Sequence, residues 1–447
     1  MPRPAVAWGA AVALATAVAL PAVWWEPLHV DEFVTLTVAP HSAGAIVEEI
    51  FERKGGSPVH FLLEHVFLGW PGGIEGLRLP SLLAFAIALP AAGLLARELA
   101  GHRESLLLPV VLALSPLAVE LATFGRMYGL LLASYLWAVV AALHAAKRGT
   151  AALFLAAAAL GALVYFHPLA PLYGGPALAG VVFLAGVRPR AAVWAGAAFF
   201  AAGAPYWAYA LWRLRERYYV GYAGSERLEA TSGRSIGEES LLALTAGHWV
   251  GAAIFTALAA AGAVALWRRG HRRETIVLAA WVVIPLLFFA LVPAGDVEAG
   301  GTRFYPRYLL PALPGFLLLV TTGCLAAPRA AAAVLAALVL GLQVNDDRNR
   351  LERLHNLHLP AAVTAVRSLG DEAVLLPAAG RPIAGRPAYL LDEFLELQIP
   401  DARRAGAGVT VRLVAGPPGF LDGVERRLGA AARPERVSDR LLVIRNP

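Results

Sequence analysis

Cysteine is all but missing: the single one, Cys324, sits inside an apolar run. A disulfide framework needs pairs and a thiolate metal centre needs a cluster, so both are excluded. Lysine is nearly as scarce. Only Lys54 and Lys147 occur, and arginine carries the rest of the positive charge. Charged residues of all kinds make up 16% of the chain, too few for so long a sequence to cover itself in water. The sequence has no GxGxxG, no GK followed by Ser or Thr, and no DxD in a polar segment. Dinucleotide, P-loop and soluble nucleotide-sugar readings fall away with them. There is no HExxH, no repeat of soluble type and no low-complexity tract beyond alanine-rich stretches.

What is present is apolar: 58% of residues are hydrophobic and the mean hydropathy is +0.61. Runs of about 18 or more apolar residues read as membrane spans. They recur at roughly 5–25, 79–96, 106–122, 127–146, 150–166, 169–187, 191–212, 241–267, 276–293, 309–327 and 330–344. The fold class expected is an α-helical polytopic membrane protein of about 11 transmembrane helices, within a range of about 9–13. The first run is too long for a signal-peptide core and reads as an anchored span.

Short loops carrying Arg3, Arg97, Arg103, Lys147, Arg148, Arg188, Arg190, Arg268, Arg269, Arg272, Arg273 and Arg329 alternate with longer, more acidic ones. The basic set belongs on the cytoplasmic side. The N-terminus is then cytoplasmic, and an odd span count puts the C-terminus outside a plasma membrane. The net charge of +6 follows from this topology and calls for no nucleic acid.

Residues 345–447 change character. A polar "NDDRNRLERLHNLH" leads to strand-like segments at 373–377, 409–415 and 440–445, with helical candidates "AAVTAVRSL" and "GFLDGVERRL" between them. Strands alternating with helices predict a small extracytoplasmic α/β domain, set behind a transmembrane domain at 1–344 whose first outer loop spans 26–78.

That loop opens on "WWEPLHVDEF", where Asp31 and Glu32 stand just past the first span. "SAGAIVEEIFERKGG" puts Ala43, Ile46, Val47, Ile50 and Phe51 on one helical face, which suits the membrane interface. Ser42 caps its start. "SPVHFLLEHVFLGW" follows as a second helix, with His60 and Glu64 one turn apart. The acidic pair has two readings. It caps the next helix or is simply solvated, or it hangs over a cavity between the spans. Arg78, Arg126, Arg303 and Arg307 recur at the same level, and ionisable groups near membrane depth tend to be paired or functional. Acids and arginines on one face suit an anionic, lipid-linked substrate attacked by an activated hydroxyl.

In this order the motifs resemble the GT-C superfamily of glycosyltransferases, and within it the protein O-mannosyltransferase and aminoarabinose-transferase branch. The set comprises Asp31-Glu32 after the first span, the proline-containing helix "GSPVHFLLEHVFLGW", and "LRLPSLLAFAIALPAAGLLARELAG" opening on Arg78. It continues with "ALSPLAVELATFGRMYGLLLASYL", with its Ser-Pro and Arg-x-Tyr steps, and "RFYPRYLLPALPGFLLL" entering a late span. The resemblance covers about 1–327. Ser57 stands where the branch tends to have a second proline, and His60 where an aromatic is common.

The resemblance implies a sugar donor on a polyprenyl phosphate and transfer on the extracytoplasmic face to a hydroxyl acceptor, with inversion at the anomeric carbon. Asp31 takes the role of base, because the family's first acid carries it. Glu32 positions Asp31, the acceptor or a metal. Arg126 and Arg307, with Arg303 and Arg78 behind them, face the departing phosphate. His60, Glu64, His167, Tyr128 and Tyr308 are candidate cavity residues, although the two tyrosines also fit as interface anchors. Some relatives use a divalent cation, so a metal at His60 and Glu64 stays open. Membrane lipids are partners; the acceptor (glycan, lipid or protein) is not specified. The alternative is a polytopic lipid or glycolipid transporter or flippase without transferase activity, which should show internal pseudo-symmetry and mid-span ionisable groups.

Overall fold

The computed structural model describes residues 4–26, 30–54, 57–68, 74–215, 236–291 and 306–355, together with four strands in the C-terminal region. Each apolar run of the sequence falls on a helix or a pair of helices. The first is α1 (Pro4–Trp25). The loop after it folds as α2 (Val30–Val38), α3 (Ala43–Glu49) and α4 (Pro58–Phe67). The bundle continues through α5 (Ile74–Leu99), α6 (His102–Ala113), α7 (Pro116–Ala122), α8 (Tyr128–Arg148), α9 (Thr150–Ala162), α10 (Ala170–Ala185) and α11 (Pro189–Arg215). It closes with α12 (Ile236–Leu244), α13 (Trp249–Arg268), α14 (Arg272–Leu291), α15 (Leu313–Ala326) and α16 (Arg329–His355).

Among the described residues, six helices are long and apolar enough to cross a membrane, or seven if the α6–α7 pair is one span. The sequence reading of eleven counts α9 and α10, which are short, and α11 and α14, which are not among these six or seven. The run at 106–122 bends by 61° between α6 and α7. The residue before a proline is pushed out of the helical region; Ser115, before Pro116, has φ −69° and ψ 121°. The run at 241–267 is also divided, into α12 and α13, here without a proline: Gly247 has φ 71° and His248 accepts from the Gly251 N–H at 2.9 Å to start the second helix. Conversely, the polar segment after 344 is no separate element. It continues α16, whose 27 residues span about 40 Å at 1.5 Å per residue, longer than a hydrocarbon core of about 30 Å.

The core is one continuous apolar cluster drawn from α1 and α5–α16. α1 packs on α5 and α6, α5 on α8, and α13 on α15. The α13–α15 contact needs glycine on both sides: a Cβ at Gly262 would collide with the Leu319 carbonyl, and one at Gly323 with the Leu258 carbonyl. Small residues let helix backbones approach closely in this way.

The loop helices form their own small core of Val38, Ile46, Ile50 and Phe61. Only Ile46 and Ile50 of the proposed amphipathic face are buried in it, and α3 gives way to a π-helical turn at Ile50–Lys54. Ser42 does cap α3, accepting from the Ala45 N–H.

The strands β1 (Val374–Leu375), β2 (Thr410–Ala415), β3 (Pro434–Ser438) and β4 (Leu441–Asn446) form one sheet in the order β1-β2-β4-β3. β1 and β2 are parallel and the other pairs antiparallel. The two helices expected between the strands lie outside the described residues.

Candidate functional site

Asp31 and Glu32 open the first turn of α2, where negative charge is favoured by the helix dipole. Successive helical residues point about 100° apart, so one carboxylate faces in and the other out. Glu32 is fully enclosed and accepts two parallel bonds from Arg78, from Nε and Nη2, each at 2.8 Å. The Gly125 N–H adds a third bond to Glu32 Oε1 at 2.8 Å. The third nitrogen of Arg78 donates to the carbonyls of Val23 and Glu26 at 2.9 and 2.8 Å.

The sequence groups Arg78 with the phosphate-facing arginines. The structure corrects that placement: Arg78 is fully buried and its guanidinium is wrapped around Glu32 and two backbone carbonyls. Arg78 and Glu32 thus join the end of α1, the start of α2, the start of α5 and the loop before α8. Glycine at 125 is required, since a Cβ there would lie 2.5 Å from Leu77 Cγ and 3.0 Å from Glu32 Oε1.

Asp31 lies on the other side of this tie. Its Oδ2 is 3.0 Å from Arg307 Nη2, with the two side chains 25% and 18% exposed. Arg307 enters from the 3-10 turn Pro306–Ala312 that leads into α15, and its guanidinium lies over the rings of Phe124 and Tyr128. Arg126 approaches from the α7–α8 loop. Its Nη1 donates to the Asp31 carbonyl at 3.3 Å and to Thr35 Oγ1 at 3.2 Å. Its guanidinium covers the Phe61 ring, and its buried Nε meets no acceptor. Ser81 Oγ fixes that loop by donating to the Arg126 carbonyl at 2.6 Å. A carboxylate and two guanidinium groups from three distant stretches of chain therefore meet at one end of the bundle.

His60 and Glu64 are buried beneath them on α4. His60 Nε2 lies 3.4 Å from Thr35 Oγ1, and Nδ1 is 3.7 Å from Glu64 Oε1. Burial pushes the Glu64 carboxyl up to about 9, helped by the charge of Glu32 and opposed by Arg126. Burial and then Arg126 hold His60 well below the usual imidazole range. The two are a neutral pair near pH 7.

His167, in the turn between α9 and α10, accepts from the Leu169 N–H at 3.1 Å and lies against Tyr128 and Tyr308. Burial, Arg307 and Arg126 lower it to about 3. Tyr128 is enclosed, stacked on Phe124, which does not suit a lipid-facing anchor. Tyr308 stacks on Phe289, and its carbonyl accepts from the Tyr173 hydroxyl. Arg303 lies outside the described residues.

Among the described residues, no group of three His, Cys, Asp or Glu side chains is placed to hold a metal.

Thr35, Gly125 and Ser81 were not marked as site residues by the sequence. Thr35 had a signal, being one helical turn beyond Asp31. Gly125 and Ser81 had none, because their roles depend on a fold that brings residues 32, 81 and 125 together.

No protein-family description and no curated protein matches the sequence. Solved structures do match. The apo structure of ArnT from Cupriavidus metallidurans superposes with a TM-score of 0.60 at 13% identity, over 100% of this chain and 99% of that one. The same protein bound to undecaprenyl phosphate gives 0.59 at 13% identity, over 98% and 97%. The oligosaccharyltransferase of Archaeoglobus fulgidus gives 0.50 at 13% identity, over 81% of this chain and 58% of its own. The chain thus shares the fold of ArnT, with six or seven helices among the described residues long and apolar enough to cross a membrane.

Proposed function

We propose that the protein is a glycosyltransferase that moves a sugar from a polyprenyl-phosphate donor to a hydroxyl acceptor at the extracytoplasmic face, with inversion. The observation that carries this reading is the ion pair of the partly exposed Asp31 carboxylate with Arg307, beside Arg126, which bonds the Asp31 backbone carbonyl. The fold it sits in is shared with ArnT, a protein whose structure is known with undecaprenyl phosphate bound.

The chemistry follows from the groups present. The acceptor oxygen attacks the anomeric carbon and the carbon–oxygen bond to the phosphate breaks. The hydroxyl proton goes to Asp31, and polyprenyl phosphate leaves with the electron pair. A positioned base of this kind contributes about 10²–10⁴-fold. Negative charge grows on the departing phosphate, and fixed cations aimed at it are usually the largest electrostatic contribution. Arg307 and Arg126 serve that purpose, the first as a charge and the second through a buried Nε that lacks an acceptor.

The 3.0 Å ion pair between Arg307 and Asp31 gives the donor a second role. An incoming phosphate competes for Arg307, and Asp31 is released to accept a proton only when the donor is in place. Glu32 contributes indirectly, by locking α2 to Arg78. Direct displacement from the face opposite the phosphate sets the inverted configuration.

The test is transfer by purified protein from radiolabelled polyprenyl-phosphate sugars, mannose and arabinose-like pentoses first. Labelled product with inverted anomeric configuration supports the reading. Movement of intact donor across a vesicle membrane, without product, favours the flippase reading instead.

A further inference from the structure

A further, partly buried ion pair lies near the site and uses a residue no motif singled out. Arg350, in the last turns of α16, places Nη2 at 2.7 Å from Glu26 Oε2 and 3.2 Å from Thr123 Oγ1. Thr123 Oγ1 is itself 3.1 Å from Glu26 Oε2, so the three close a triangle. The Arg350 and Glu26 side chains are 11% and 15% exposed, and Thr123 is buried.

Each partner is one covalent step from the groups described above. The Glu26 carbonyl accepts from Arg78, the residue that grips Glu32 beside Asp31. Thr123 begins the loop whose Gly125 N–H holds Glu32 and whose Arg126 bonds the Asp31 carbonyl. Arg350 therefore touches both segments that place the base and the first cation.

The choice of partner is telling. Asp347 lies one turn back along α16, buried and within reach of the Arg350 charge, yet among the described residues neither of its carboxylate oxygens accepts a hydrogen bond. A buried carboxylate without a hydrogen-bond donor is costly. The guanidinium nonetheless donates to a residue 324 positions away in sequence. Arg348, two residues before Arg350, pairs only along the surface of its own helix, with Glu352. The chain beyond α16 leads on to the four-stranded sheet.

We infer that Arg350 is a positioning residue, fastening the helix that leads to the C-terminal strands onto the two segments carrying Asp31 and Arg126. The role in transfer rests on the function proposed above; the mechanical coupling does not. Hydrogen–deuterium exchange on the full-length protein, without substrate, tests the coupling by itself. Arg350→Ala is expected to speed amide exchange at 30–38 and 123–127 by about tenfold or more, with α13 and α15 unchanged. Arg348→Ala leaves all four regions as they are. Glu26→Gln combined with Arg350→Ala is no worse than either alone, because one interaction is being removed twice. Arg350→Lys, which keeps the charge on a shorter and more flexible stem without the planar guanidinium, falls between. If Arg350→Ala does not fold, Thr123→Val removes one corner of the triangle and carries the same test.

In transfer assays Arg350→Ala lowers kcat more than it changes KM. Unchanged exchange at 30–38 and 123–127 in a folded variant overturns the coupling. Equal acceleration throughout the bundle does the same, since it marks general loosening. Absence of transfer by the wild type overturns the functional reading and leaves the exchange result standing.

Discussion

Asp31 is one-quarter exposed and Glu32 is enclosed, although the two are adjacent and chemically alike. The 100° step of the helix separates them, and Arg78 decides which one is spent on structure. Glu64 shows the same principle in a buried setting. Its carboxyl is raised to about 9 from an ordinary 4.5, so between these values the folded protein holds a proton that the unfolded chain has lost. Stability from this group is fully present below about pH 4.5 and is lost as pH rises through about 9. The slope is at most about 1.4 kcal/mol per pH unit. Glu64→Gln, which cannot ionise, is expected to flatten the fall in Tm between pH 5 and 9 and to raise Tm at pH 8. A thermal-shift series over pH checks it. At Arg307 the expectation concerns binding: Arg307→Ala removes a charge-assisted contact, and affinity for undecaprenyl phosphate falls about ten- to a hundredfold, read by titration of the lipid into purified protein.

The elements were legible in the sequence where a long apolar run faced no competing rule. α1, α5 and α8 fall where hydropathy puts them, and Ser42 starts α3 as its side chain demands. The α6–α7 break was hidden because apolar content does not reveal a backbone turned aside by Pro116. β3 was missed because "PERVS" is polar and begins with proline, as suits a strand at a sheet edge. At the site, the recurrence of Arg126 and Arg307 at the level of the acidic pair could be read from the sequence, whereas the choice of Asp31 as base comes from the resemblance to the GT-C family. Arg78 could not be sorted from them, since the sequence does not say which arginine meets the second carboxylate. Gly125 is the point where element geometry and site meet. Gly125→Ala forces a Cβ against Leu77 and Glu32, displacing the loop that carries Arg126. The expected result is a Tm lower by several degrees, about 1–3 kcal/mol of overpacking, with transfer lost in proportion to the displaced loop.

For the molecule as a whole, the alternation of basic and acidic loops sets an orientation that chemical labelling can read. The single cysteine, Cys324, is buried, so an introduced cysteine reports its own side of the membrane. Ser42→Cys, on an exposed turn of the acidic loop, is expected to react with a membrane-impermeant maleimide in intact cells. Arg148→Cys, at the exposed end of α8, is expected to react only after permeabilisation. The reverse pattern inverts the topology and moves the proposed reaction to the other face.

The central claim is that Asp31 takes a proton from the acceptor while Arg307 and Arg126 hold the departing phosphate. Single-turnover transfer by Asp31→Asn, measured beside its binding of undecaprenyl phosphate, tests it most directly. The account predicts a rate about 10²–10⁴-fold below wild type with lipid binding retained or tightened, since Arg307 loses its internal competitor. Transfer at the wild-type rate by a folded Asp31→Asn protein would contradict it.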